Sequence, residues 1–458
     1  MAGRTGIAPA GNGPPECPAA LDRPRALRRD PSTRAGLPSR GGKRPPPRRR
    51  RARPPGRGAH GAGPALGTLG ALVVAAAGGA VGPRDVVTAL GAQWRAFLAL
   101  GSVMVMTTAA ERVGLLDRLA AWIEPRTRGP VRHAFRMTFG LAALVATVFS
   151  NDAAVLLLTP TIFALLRTVY PRRNPKFLVP FAFAVFAAAG VAPLVVSNPM
   201  NLIMADHLGI GFNRYARVMI PVALVSSLAT YAMLVWVFRE ALADDAPALG
   251  AWPGELPAVS GAGRVVLATV AATLLAYPAM AAMRLPLWPV AVFGGLVSAG
   301  ACIATGERLE KLSHGVAWPV FPFLVGVFVL ALGLERIGVV AWLRELYARS
   351  DHPLATIGTL SALGSALLNN HPMSVLNVFA LEHAPLGDAG AFAALVGGDL
   401  GPRLLPVGSL ASLLWFDVLR KHGVDVDLAT FVRVGVALTL VPLAVSLATL
   451  AVVARLLP

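Results

Sequence analysis

The sequence predicts an all-α polytopic membrane protein with an inverted-topology repeat, two re-entrant hairpins, broken helices and about ten spans. Three observations predict it. Apolar residues make up 55% of the 458-residue chain and charged residues only 14%, which is far more apolar surface than a soluble core absorbs. Apolar stretches recur from about residue 65 to the end, separated by short turns of Pro, Gly and charges. Polar knots interrupt several of these stretches midway.

The first 64 residues stand apart. About +12 of the formal +18 charge lies in the first sixty, including the run PPPRRRRARPP. Such a segment buries too little surface to fold, so residues 1–64 read as a disordered basic tail and 65–458 as a transporter domain. An Arg/Pro/Gly/Ala-rich leader is what a GC-rich coding region yields when its start is placed too far upstream. Binding to anionic lipid and binding to nucleic acid are the alternatives, and the mild charge of the remaining chain speaks against nucleic acid. No compact apolar stretch follows the charges directly, as a cleaved signal requires. Deleting residues 2–61 is therefore expected to leave insertion and activity unchanged, checked by membrane abundance of the shortened chain.

Apolar stretches of spanning or near-spanning length run over 65–81, 96–110, 177–196, 218–238, 265–283, 287–304, 319–334 and 434–453. Residues 134–166 and 354–381 behave differently. Each is too long for one span, and each is interrupted, by Ser150-Asn151-Asp152 and by Asn369-Asn370-His371-Pro372. Each half of these regions has about 10 to 16 residues, or about 15 to 24 Å as helix, too short to cross. Arg126, Arg128, Arg132 and Arg136 precede the first region, and Arg167, Arg172, Arg173 and Lys176 follow it. Cytoplasmic loops are enriched in such residues, so both ends face the cytoplasm and the polar knot forms a buried tip. The second hairpin has mixed flanking charge and ends outside, a parity kept by counting 177–208 as one broken span.

The order span, hairpin, broken span, span thus occurs twice, with repeat one over about 65–240 and repeat two over about 263–458. That is the plan of a secondary transporter. The parity puts the tail in the cytoplasm and the chain, multi-pass, in the cytoplasmic membrane.

Two further breaks are Ser197-Asn198-Pro199-Met200-Asn201, and Gly397 to Pro402 leading to Gly408-Ser409. Unwound backbone inside a bilayer persists only where protein or a wet cavity satisfies it, so four breaks imply a shared cavity near the midplane. Ser150, Asn151, Asp152, Ser197, Asn198, Asn201, Asn369, Asn370, His371, Gly408 and Ser409 are the candidate substrate-binding residues. Their side chains and free helix ends suit a small solute rich in hydroxyls. A dicarboxylate calls for more fixed positive charge.

Asp152 and Asp399 are the intramembrane carboxylates at these breaks and the candidates for proton coupling; the alternative is a structural acid capping helix N–H groups. His371 is either a proton relay or a tip residue satisfied locally. Arg403 is placed to pair with Asp399. Glu111-Arg112 and Glu335-Arg336 lie at span ends where snorkelling accounts for them, and Asp206-His207 lie near an interface. Cys17 and Cys302 are the two cysteines, too few for a disulfide framework or a thiolate metal site. No cofactor or metal is expected. No HExxH or GxSxG signature marks an enzyme.

At the breaks the sequence resembles the ArsB-type arsenite/antimonite permeases of the ion transporter superfamily. The stretches are VFSNDAAVLLLTP from Val148, VVSNPMNLIMADHLGIGFNRYARVMIPV from Val195, LLNNHPM from Leu367 and GGDLGPRLLPVGSLASLLWFDVL from Gly397. The resemblance implies efflux of arsenite and antimonite, driven by the proton gradient alone or aided by a soluble arsenite-stimulated ATPase; a homodimer is compatible with it. It also places Pro372 and Gly401 among the tip residues. Ser150, His371, Met373 and Gly398 depart from the family, which usually has Ala, Met, Thr and Cys there. A sodium/proton antiporter or an organic-anion (dicarboxylate or citrate) carrier of the same superfamily is the alternative.

Overall fold

A computed structural model describes residues 81–115, 130–151, 154–171, 173–243, 258–316, 318–382 and 387–457, with isolated positions between 73 and 125. The basic tail, the 65–81 span and Asp152 lie outside these residues, apart from Val73, Gly79 and Val81.

The described residues are helical. Helix α1 (Pro83–Arg112) is followed by hairpin one, formed by α2 (Val131–Val148), a π-turn (Ala154–Leu158) and α3 (Thr159–Val169). The first broken span is α4 (Leu178–Ala188) and α5 (Pro199–His207), and α6 (Phe212–Val237) is unbroken. Then come α7 (Gly261–Ala282), α8 (Trp288–Ala304) and α9 (Val320–Arg336). After α10 (Val339–Ala348), hairpin two comprises α11 (Pro353–Leu368) and α12 (Asn370–Leu381). The second broken span is α13 (Gly387–Leu400) and α14 (Leu410–Lys421), and α15 (Leu428–Leu456) closes the chain.

Among the described residues, α6, α7 and α15 are individually long and apolar enough to cross a membrane. Helices α9 and α10 pass the same test as one bent pair, and α4, α8 and α11 are apolar but shorter, at 10–17 residues. The helices run past the apolar stretches because helix geometry does not stop at a charge: α1 covers 83–112 where hydropathy marks 96–110. Helix α10 was not anticipated. It leaves α9 at 76°, turned by Gly338 at φ 86°, the left-handed position that ends many helices.

Charges expected to snorkel instead tie elements together. Arg336, at the end of α9, donates to both oxygens of Asp85 in the first turn of α1, at 2.9 and 2.5 Å. Arg112 pairs with Glu307 at 3.4 Å. The forked guanidinium favours such two-point contact.

Helices α6 and α15 run antiparallel: Arg214 bonds the Leu457 carbonyl at one end, while Thr230 and Leu438 meet through Arg403 further along. Hairpin two packs on the second broken span through small residues. Gly397 on α13 and Gly401, at the start of the 3₁₀ turn that follows it, face Gly358, Ser361 and Ala362 of α11. In lipid such small-residue faces allow the close van der Waals approach that drives helix association. A Cβ on Gly397 would overlap the Gly358 carbonyl oxygen, and one on Gly401 the Ala362 carbonyl oxygen. Gly397→Ala is expected to destabilise the fold by about 1–3 kcal/mol through overpacking, read as a lower unfolding midpoint of purified protein in detergent. Gly91→Ala, where nothing lies within 4 Å, should leave it unchanged.

Candidate functional site

The polar centre forms where the two broken spans cross. In the first, α4 ends at Ala188 and α5 starts at Pro199, so ten linking residues separate the free carbonyls of one helix from the free N–H groups of the next. Asn198 caps α5 by accepting the Met200 N–H at 3.3 Å. In the second, α13 ends at Leu400, and Ser409 caps α14 by accepting the Ser412 N–H at 3.0 Å. Asn369 caps α12 in the same way, accepting the His371 N–H at 3.3 Å.

Asp399, 6% exposed, joins the two. Its Oδ1 accepts from Asn198 Nδ2 at 2.6 Å. Its Oδ2 accepts from the Ala192 N–H at 2.9 Å and from Asn201 Nδ2 at 3.2 Å. Asn201 Nδ2 also reaches the Tyr215 hydroxyl at 2.7 Å, which donates to the Ala192 carbonyl at 3.0 Å. One carboxylate therefore organises the whole first break from the second.

Arg403 corrects the sequence expectation, because its hydrogen bonds go elsewhere than to Asp399. The 3₁₀ turn Gly401–Arg403 turns its side chain to the other side of the crossing, where backbone carbonyls need donors. Pro442 inside α15 has no N–H, which leaves the Leu438 carbonyl without its helical partner. Arg403 donates to that carbonyl at 2.8 Å, to Thr230 Oγ1 at 3.2 Å and to the Ala187 carbonyl at 2.5 Å. A cation at the C-terminal end of α4 also suits the helix dipole.

Of the sequence-derived candidates, Asn198, Asn201 and Asp399 meet directly. Asn151 donates to the Gly190 carbonyl at 3.1 Å and Ser197 to the Thr147 carbonyl at 2.8 Å, which seats hairpin one on the first break. Asn369 donates to the Val407 carbonyl at 3.1 Å, seating hairpin two on the second. At Gly408 a Cβ would overlap Pro402 Cα and crowd the Ser365 carbonyl, so the chain is closely packed there. Asn370 and His371 are buried on α12, and the Asn370 Oδ1 and His371 Nε2 atoms have no hydrogen-bond partner. The same holds for Asn201 Oδ1 and Ser365 Oγ. Asn369 adopts φ 89°, ψ 148°, a conformation costing about 1–3 kcal/mol in a non-glycine residue and concentrated at functional sites.

Sequence reasoning missed Tyr215, because a tyrosine in the first turn of a span reads as an interface anchor. It missed the Met200 thioether, which accepts from Ser374 Oγ at 3.0 Å and lies against Gly398. It also missed Asn377, bonded to Tyr347 at 2.6 Å and Ser361 at 2.9 Å; a lone Asn inside an apolar helix was the available signal.

Both Asp399 oxygens face N–H donors, so an amide at 399 must turn its own N–H₂ toward a donor. Asp399→Asn is expected to cost about 1–3 kcal/mol, measured as the shift in unfolding midpoint in detergent. Asn198→Asp in the same chain restores a donor–acceptor match at the 2.6 Å contact and should recover part of the loss.

The chain is similar to known proteins. Residues 63–454 match the model of the ArsB family, described as arsenical pump membrane protein. The arsenical pump membrane protein of Escherichia coli strain K12 is 31% identical over 402 residues, covering 84% of this chain and 92% of that one. A putative arsenical pump membrane protein of Bacillus subtilis is 24% identical over 376 residues, covering 75% and 84%. The crystal structure of the YdaH transporter of Alcanivorax borkumensis superposes with a TM-score of 0.53 at 18% identity, covering 81% of this chain and 87% of that one; at that identity the likeness concerns the fold. A helical membrane chain with these relatives is a transporter rather than an enzyme, and it belongs to the ArsB family of arsenical pump membrane proteins.

Proposed function

We propose that this chain exports arsenite and antimonite across the cytoplasmic membrane by secondary transport, with Asp399 exchanging the coupled proton. The observation that carries the reading is the polar crossing: one carboxyl gathers three N–H donors while Asn201, Ser365, Asn370 and His371 keep unpartnered polar atoms close to the breaks. A neutral trihydroxy solute supplies both donors and acceptors to such atoms, at no cost for desolvating a charge.

The alternatives fit less well. An organic anion needs a free cation with a two-point face, whereas both terminal nitrogens of Arg403 are bound to two carbonyls and a hydroxyl. A sodium ion bound at Asp399 needs that carboxylate's oxygens, which N–H groups occupy. The recurrence of span, hairpin, broken span and span supports an inverted repeat working by alternating access. Basic residues at Arg167, Arg173 and Lys176 support cytoplasmic ends for hairpin one.

Everted membrane vesicles with an imposed pH gradient test the reading. The parent chain should accumulate arsenite and lose it on addition of a protonophore. Asn370→Ala is expected to lower the initial rate by about tenfold or more, the scale of one lost buried hydrogen bond to the solute, at unchanged abundance. Asp399→Asn should still exchange labelled arsenite at equal concentrations yet fail to accumulate it. Uptake no faster than in empty vesicles would sink the substrate assignment. Accumulation by Asp399→Asn equal to the parent's would remove Asp399 from coupling and leave Asp152 and His371 as candidates.

A further inference from the structure

A hollow of about 340 Å³ enters the protein at the turn between α5 and α6 and at the α7–α8 connection. Arg95, Asp206 and Arg284 are exposed and line it. Deeper in, it is lined by Val195, Val196 and Tyr277, all less than a tenth exposed. Val195 and Val196 belong to the first broken span, immediately before Ser197 and Asn198. The hollow thus runs from one end of α6 and α7 to the two valines that precede Ser197 and Asn198.

A second, smaller cavity of about 20 Å³ continues from it. Val148 and Phe149 at the tip of hairpin one, Met106, Thr273 and Leu274 line it, and it shares Val196 and Tyr277 with the first. That volume holds about one water molecule, so a trihydroxy solute cannot occupy it until the neck widens.

The neck sits at a weak point in its helix. Pro278 follows Tyr277 inside α7, and its missing N–H leaves the Leu274 carbonyl without a helical donor, where helices bend readily. Leu274 itself lines the inner chamber. On the other side Asn213, in the first turn of α6, holds the Pro278 carbonyl at 3.0 Å, and the Phe212 ring lies 5.6 Å from that of Tyr277. Opposite Tyr277, Val196 stands in a 3₁₀ turn rather than a continuous helix.

We propose that the hollow is the outer vestibule of the transport path and that Tyr277 and Val196 form its gate. The inference rests on the transport reading above. Sidedness follows from length and charge: α6 has 26 residues, about 39 Å of helix, and near its far end Tyr231 packs on Phe135 of hairpin one, beside Arg132 and Arg136. The mouth therefore opens on the face opposite the basic cytoplasmic connections.

Single cysteines in the full-length chain, with Cys17→Ser and Cys302→Ala as background, test this directly. Ala281→Cys lines the outer hollow and Thr273→Cys the inner chamber. A membrane-impermeant methanethiosulfonate added to intact cells should label Ala281→Cys readily and Thr273→Cys at least about tenfold more slowly, because thiol reactivity follows access. Tyr277→Ala should raise the Thr273→Cys rate by a similar factor, and Val196→Ala should do so from the other wall, with Ala281→Cys labelling as the check that each variant is folded. Labelling of Ala281→Cys only from the cytoplasmic face of everted vesicles would overturn the proposal. So would a Thr273→Cys rate that neither neck substitution changes. Arsenite efflux in the same cells reports the substrate separately: this labelling pattern without efflux keeps the path and discards arsenite, and efflux with cytoplasmic labelling discards the path alone.

Discussion

A peptide group inside a bilayer must find a partner within the protein, because lipid offers none. The two broken spans violate the simplest solution, an uninterrupted helix, and the architecture of the centre follows from repairing that violation. Asp399 supplies acceptors to the Ala192 N–H and to two asparagine amides. Arg403 supplies donors to the carbonyls freed at the end of α4 and by Pro442 in α15. Acid and base lie four residues apart in sequence and serve opposite needs of the same crossing. Each has its own set of hydrogen-bond partners.

Close packing makes that repair possible. Gly397 and Gly401 let α13 approach the backbone of α11, which brings Asp399 within reach of a break more than two hundred residues earlier in the chain. Buried side chains pack both hairpins into the core, and hydrogen bonds from their tips seat them on the breaks: Asn151 to Gly190 and Asn369 to Val407. Seats made of single bonds to carbonyls can be exchanged for bonds to a solute at small net cost, since one hydrogen bond replaces another. Rigid helices with exchangeable tips are the physical requirement for a site that alternates between two faces of a membrane.

Much of the fold was legible in composition and charge. Apolar length marked the apolar stretches, polar knots marked the breaks, and Asn198, Asn201 and Asp399, singled out because polar groups are costly in lipid unless used, do meet in the structure. Partners were not legible. Arg403 read as the counter-ion of Asp399 because proximity in sequence was the available guide, whereas the 3₁₀ turn at 401–403 sends the side chain to another helix. Arg336 read as a snorkelling end residue and instead grips Asp85 across the bundle.

The sequence by itself determined that this chain lives in a membrane, where its helices break and which side chains stand at the breaks, because hydropathy and helix-breaking are local properties of a few neighbouring residues. The tertiary structure alone decided which break faces which, that Tyr215 and Met200 join the polar centre, and that Tyr277 stands where two hollows meet. Those outcomes depend on the close approach of helices distant in sequence, and a small residue at an interface leaves no mark in hydropathy to say which helix it is small for.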